Sequence, residues 1–227
     1  MPGTHKSFLK HFTNFGHSKT IKILDIGAGH GAFTKVLFDM GYDVSACDLF
    51  PEKFMFDSVV CKKADITNAL PYTDNSFDLV IAIEVSEHIT DHEIFFREIY
   101  RILKPKGQLY LSTPNILSLK SRLRFLFSGF FYSFSKLDIE NNDGLQHVAS
   151  RTLDQYNYIA GRNGFEKANV EIDKKQNTSI WLFIFLFPFI WINKNIRKTS
   201  NFHNTNKLLL GRLLFLNFES RKTNTTN

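Results

Sequence analysis

The stretch IKILDIGAGHGAFTKVLFDM, residues 21–40, constrains the fold of this chain more than any other. IKILDI reads as a strand buried on both faces, and three glycines crowd the turn that follows it. AFTKVLFDM then carries a helical pattern that ends near Gly41, a residue able to adopt the left-handed C-cap conformation. Strand, tight turn and helix in this order open a parallel sheet wrapped by helices. The pattern repeats downstream: YDVSACD reads as the second strand, SVVCKKAD as the third, FDLVIAIEV as the fourth and GQLYLSTP as the fifth. Thr90 and Glu93 have capping-box spacing and predict a helix through IFFREIYRILK to the breakers Pro105 and Gly107. The expected class is α/β, and 227 residues suffice for one large domain with a core of its own.

Past residue 115 the pattern changes. NILSLKSRLRFLFSGFFYSF looks like an amphipathic insertion; a helix follows at RTLDQYNYIAGRNG, a strand near FEKANVEID and a last strand near LLFLNFESRK. A second insertion, SIWLFIFLFPFIWINKNIRK, separates those two strands, and the tail TNTTN reads as disordered. The organisation read from this is a helical extension over residues 1–20 and one domain over 21–227, with insertions at about 115–135 and 176–205. The net charge of +6 is uneven: residues 1–115 hold 12 Lys/Arg against 14 Asp/Glu, and residues 116–227 hold 16 against 8. The basic half is also rich in Phe and Trp, which points to an anionic partner, phospholipid headgroups or substrate phosphate. Cys47 and Cys61 lie in apolar runs without metal spacing and read as buried thiols of a reducing compartment. The first 20 residues hold no continuous apolar core of a signal peptide, so a cytoplasmic location is expected, peripheral on the inner face of a membrane.

Gly27, Gly29 and Gly31 sit where the backbone must approach a ligand closely. With Ala32 as the third position they also satisfy the dinucleotide fingerprint of dehydrogenases. Asp25 separates the readings: an acid two residues before the first glycine can orient the turn and hold an amino-acid ammonium, a need that a pyrophosphate site lacks. Asp48, about 20 residues after the loop, suits ribose hydroxyls in either case.

Taken in order, ILDIGAGHG, CDLFPEKF, KADITNALPYTDNSFDLVIAIEVSEHI and LKPKGQLYLSTPN resemble the motifs of the class I S-adenosylmethionine-dependent methyltransferases. The resemblance implies a Rossmann-like sheet of seven strands, mostly parallel with an antiparallel last strand, and S-adenosyl-L-methionine as cofactor. It assigns Asp25, Gly27, Gly29, Gly31, Asp48, Leu49 and Glu84 to the cofactor, with Asp65 and Ile66 at the adenine.

Transfer from a sulfonium requires in-line approach, and a hydroxyl acceptor must also lose a proton to a base or to a metal-bound state. Glu87 and His88 in EVSEHI follow the fourth strand, where an open α/β sheet exposes its crevice, and are the candidate catalytic residues. Glu84, Glu87, His88 and the distant His147 together form a candidate site for Mg²⁺ or another divalent cation. This pattern resembles the metal-assisted O-methyltransferases of ubiquinone biosynthesis and the small-RNA 2′-O-methyltransferases. The plainer alternatives stay open: Glu84 as a wall of the cofactor pocket, Glu87 as a turn cap, His88 as a metal-free base, His147 as a loop residue. The other six histidines, His30 among them, show no ligand spacing and are assigned no chemistry.

Residues 180–192 are apolar throughout, and a 13-residue helix would reach only about 20 Å, short of a bilayer's hydrocarbon core. Trp181 and Trp191 near its ends, followed by Lys194, Arg197 and Lys198, have the arrangement of an interfacial segment. Residues 115–135 combine bulky apolar side chains with cations in the same way, so peripheral membrane contact is expected at both; a lid or a dimer interface is the alternative. Nucleic acid is not expected as a partner, because the aromatics are contiguous instead of spaced among cations. The reading is thus a methyltransferase acting on a hydroxyl of an amphipathic or lipid-linked small molecule, such as a quinol precursor or glycan. Its rivals are a catalytically inert methyltransferase-like binding subunit, an RNA 2′-O-methyltransferase and an NAD-dependent oxidoreductase.

Overall fold

The computed structural model describes residues 3–141, 143–196 and 202–223. Helix α1 (Thr4–Thr13) precedes strand β1 (Lys22–Ile26), helix α2 (Ala32–Asp39) and strand β2 (Asp43–Asp48). Strand β3 (Cys61–Lys63), strand β4 (Phe77–Ile83), helix α3 (His92–Ile102), strand β5 (Leu103–Pro114) and helix α4 (Leu119–Ser128) follow. Helix α5 (Leu153–Arg162), strand β6 (Asn169–Ile172), helix α6 (Asn177–Ile196), helix α7 (Asn206–Leu210) and strand β7 (Leu213–Glu219) complete the described chain.

The seven strands form one sheet in the order β3-β2-β1-β4-β5-β7-β6. Strands β1 to β5 pair in parallel, and β7 is antiparallel to both β5 and β6. This is the Rossmann-like, mostly parallel sheet expected from the sequence. Alternation along the strands divides the core into two layers. Leu24, Val80, Leu109 and Leu216 point to one face, covered by Phe95, Phe96 and Ile99 of α3 and Tyr156 and Ala160 of α5. Ile23, Leu79, Tyr110 and Phe215 point to the other, covered by Phe8 and Phe12 of α1 and Phe33 and Leu37 of α2. Because β2 and β4 flank β1 on opposite sides, the strand order reverses there and the carboxyl ends open a crevice.

Several boundaries differ from the sequence reading. The cap of α3 is Asp91, whose Oδ1 accepts from the Ile94 amide at 3.0 Å, while Glu93 accepts from Asn163 Nδ2 at 2.7 Å. That helix stops at Ile102 because Lys104 precedes Pro105 and is biased to extended geometry. Strand β3 is only three residues long, and Cys61 in it is half-buried, whereas Cys47 is buried as expected. Helix α6 spans 20 residues, about 30 Å, instead of 13. Even so, no helix among the described residues is long and apolar enough to cross a membrane. Arg197, Lys198 and most of the tail TNTTN lie outside the described residues.

Candidate active site

A cavity of about 570 Å³ opens at the reversal point. Gly27, Gly29 and His30 of the glycine turn, Asp48, Leu49 and Phe50 after β2, and Ala64 to Thr67 after β3 form one part of its wall. Glu84, Val85 and His88 after β4, together with Asp143, Gly144 and Leu145 from a distant loop, form the rest.

The glycine turn is built by packing as much as by conformation. Gly31 has φ +82°, and a Cβ there would fall 2.7 Å from the Phe54 ring. Gly29 has φ +54° and no atom within 4 Å of where its Cβ would be, so its backbone faces open space in the cavity wall. Asp48 braces the turn: Oδ2 accepts from the Gly29 amide and Oδ1 from the Phe50 amide, each at 2.8 Å. That orienting task was expected of Asp25. Asp25 instead ties β1 to α2, accepting from Thr34 Oγ1 at 2.6 Å, and neither it nor Gly31 lines the cavity. Burial raises the Asp25 carboxyl to about 7, against the opposing Thr34 hydrogen bond. Asp65 is held below the usual carboxylate range chiefly by the Thr67 hydroxyl, which donates to Oδ1 at 2.7 Å. Ile66 beside it packs on the core and lines the cavity.

Glu84 has φ +56°, a strained value for a residue with a side chain and one that often accompanies a functional position. Its amide donates to the Ser112 hydroxyl at 3.0 Å, and that hydroxyl donates to Glu84 Oε1 at 3.0 Å. Burial raises its carboxyl. Glu87 is fully buried, and burial, then the charge of Glu84, raises its carboxyl well above the ordinary value.

His88 is held by the loop facing it. Its Nδ1 lies 3.0 Å from the Gln146 carbonyl oxygen. A carbonyl only accepts, so Nδ1 carries the proton and Nε2 presents a lone pair. The His147 ring lies 4.9 Å from that of His88, centroid to centroid. Burial, then the charge of His88, lowers its pKa. Ligand atoms of Glu87, His88 and His147 all lie within 4.8 Å of one another. Glu84, the fourth member of the expected quartet, is not in this group. Its side chain is turned to Ser112 instead.

The sequence reading did not include His30, Phe50, Lys53 or the strap Asp143 to Leu145 in the cavity wall. The strap carries no motif of its own. His30, lying between two turn glycines, is the one of these that its position could have disclosed.

A mostly parallel sheet with an antiparallel β7, a glycine turn braced by a strand-end acid, and a cleft at the carboxyl ends of the strands define a nucleotide-binding domain of the Rossmann-like class. Residues 24–111 match the family model described as a methyltransferase domain. Over 143 residues it is 32% identical to the mitochondrial ubiquinone biosynthesis O-methyltransferase of Rattus norvegicus, covering 56% of this chain and 41% of that protein. Over 101 residues it is 32% identical to the 2-methyl-6-phytyl-1,4-hydroquinone methyltransferase of Synechocystis, covering 41% of this chain and 32% of that one. The matches thus span well under half the length of these relatives. In fold, the chain is similar to a SAM-dependent methyltransferase from Archaeoglobus fulgidus, with a TM-score of 0.63 at 19% identity, covering 95% of this chain and 92% of that one. It is also similar to phosphoethanolamine N-methyltransferase 2 of Haemonchus contortus, with a TM-score of 0.59 at 21% identity, covering 97% and 53%.

Proposed function

We propose that this chain transfers a methyl group from S-adenosylmethionine to a hydroxyl oxygen of an amphipathic small molecule, with His88 as the proton acceptor. The observation that carries the reading is the layout of the cavity: the open Gly29 backbone, Asp48 and Asp65 line it on one side, and Glu84 and the Nε2 side of His88 on the other. When bound, the cofactor supplies an electrophilic methyl on a sulfonium. Asp48 suits ribose hydroxyls, because each carboxylate oxygen keeps lone pairs beyond the amide it already accepts from. Asp65 and Ile66 suit the adenine, and Glu84 an ammonium. At the far end His88 Nε2 would take the proton of an acceptor hydroxyl held in line with the methyl that the cofactor supplies.

In a second arrangement Glu87, His88 and His147, each with a ligand atom within 4.8 Å of the others, are suited to hold a divalent cation; the Nε2 lone pair of His88 would then be a ligand and not the base. Such an ion would lower the pKa of a nearby hydroxyl. Names of the relatives, a ubiquinone-pathway O-methyltransferase and a hydroquinone methyltransferase, support a quinol-type acceptor.

Calorimetry with S-adenosylhomocysteine and with NAD tests the cofactor, and binding of NAD alone rejects the reading. Asp48→Ala should weaken S-adenosylhomocysteine by about tenfold to a hundredfold, the size of lost hydrogen bonds to a charged group. His88→Ala should abolish label transfer from radiolabelled cofactor into a lipid or quinone extract while leaving that affinity within about threefold. Activity that survives exhaustive chelation leaves His88 as a metal-free base and removes the cation.

A further inference from the structure

Helix α6 is apolar on every side, a property suited to burial in a core or in lipid. Only one side is so buried. Ile180, Leu182, Phe183, Leu186 and Ile190 pack against Leu119 of α4 and Leu209 and Leu210 of α7. Buried Ser179 pins the start of α6 to α4, its hydroxyl accepting from the Lys120 amide at 3.2 Å and donating to Gln176 Oε1 at 2.9 Å. The orientation of the helix is therefore fixed, and the opposite side faces outward: Trp181 is 72% exposed, Phe185 76%, Phe189 66% and Ile184 59%. Leu126 and Phe127 of the adjoining α4 are likewise exposed.

We infer that the outward side of α6 seats this protein on an anionic phospholipid surface, lying in the interface and not across the bilayer. Charge decides between lipid and protein. The sequence has no Asp or Glu from Lys174 to Phe218, and five cations, Lys174, Lys175, Lys194, Arg197 and Lys198, bracket the apolar run. An apolar run flanked in sequence by cations and free of carboxylates along its length is complementary to acyl chains beneath anionic headgroups. Both tryptophans of the chain lie in this helix, one near each end of the apolar run, as interfacial anchors do.

The surface also bears on the acceptor. From α4 the chain continues through Phe131, stacked on Phe125 at 4.5 Å, to Phe134, whose ring lies 5.2 Å from that of His147. An aromatic run thus leads from α4 to the His147 ring beside His88, and the acceptor class that suits a membrane-seated enzyme is a hydroxyl-bearing lipid; this last step rests on the methyl-transfer reading.

Flotation of the full chain with phosphatidylcholine vesicles, with and without phosphatidylglycerol, tests the docking. Binding should strengthen by at least about tenfold with the anionic lipid, as several cations near the surface require. Emission from Trp181 and Trp191 should shift to the blue on binding. Combined Trp181→Ser, Phe185→Ser and Phe189→Ser, all at exposed positions, should reduce vesicle affinity by about a hundredfold or more, with S-adenosylhomocysteine affinity and melting temperature retained. Equal binding to both vesicles, an unshifted emission, or a solution dimer that the triple substitution converts to monomer would each overturn the inference. Lost vesicle binding with intact S-adenosylhomocysteine binding removes only the docking, and the converse removes only the methyl-transfer reading.

Discussion

Asp25 is 2% exposed, and its hydrogen bonding to Thr34 does not offset the loss of water. Its carboxyl is raised from 3.8 to about 7 in the folded protein, so between those values the unfolded chain is the more ionised and binds fewer protons. Stability from this group is therefore full below about 3.8, declines as pH rises to about 7, and is flat beyond, a total of up to about 4 kcal/mol at 1.4 kcal/mol per unit. Asp25→Asn keeps the acceptor for Thr34 and removes the titration. Urea unfolding of the ligand-free proteins should find the variant no more stable at pH 4 and clearly more stable at pH 8. Parallel pH dependences would mean that Asp25 ionises alike in both states. At this scale the sequence was informative wherever function is local: Gly27, Gly29, Asp48, Asp65, Glu84 and His88 line one cavity because they all follow carboxyl ends of neighbouring strands. Asp48 takes the turn-bracing task expected of Asp25, because spacing alone does not show which carboxylate reaches a turn amide.

Strands β1, β2, β4 and β5 were legible because a central parallel strand must be apolar on both faces. Strand β3 was overextended, since an edge strand needs only a few paired residues and SVVCKKAD continues its apolar character into a turn. The strap over the cleft was not legible. Its two ends are joined by Gln146, whose Oε1 accepts from the Asp138 amide at 2.7 Å and whose Nε2 donates to the carbonyls of Asp138 at 2.8 Å and Asn141 at 3.0 Å. Those bonds place its own carbonyl on His88, while the Val148 and Ala149 amides donate to the Glu87 carbonyl at 2.9 and 3.1 Å. No periodicity betrays such a loop, because its order comes from side-chain to backbone bonds across eight residues. Gln146→Ala should free the strap, weaken S-adenosylhomocysteine by about threefold to tenfold, and raise the population of His88 protonated at Nε2, read by nitrogen–proton NMR. An unaltered His88 tautomer would show that the strap does not position it.

Across the whole molecule, one sheet is shared by two hydrophobic layers, so neither can be lost alone. Strands β1, β4 and β5 contribute Ile23, Leu79 and Tyr110 to one layer and Leu24, Val80 and Leu109 to the other. Helix α1 closes the first layer. Phe8 packs edge-on against Phe33 and Phe215, with ring centroids at 5.5 and 5.2 Å, and Phe12 packs against Tyr42 at 5.4 Å; both phenylalanines are fully buried. Arg212 beside β7 adds a hydrogen bond from Nη2 to Thr4 Oγ1 at 3.3 Å. A helix held by side chains this deeply inserted should unfold with the sheet and not before it. Phe8→Ala, which leaves a cavity between α1, α2 and β7, should therefore cost about 3–5 kcal/mol of global stability. It should lower the urea midpoint by the same amount whether unfolding is followed by far-ultraviolet circular dichroism or by a dye attached at exposed Lys10, with an unchanged slope. If the Lys10 probe reports an earlier transition and the main midpoint stays at its wild-type value, α1 is a separable appendage and the sheet needs another explanation for the stability of that layer.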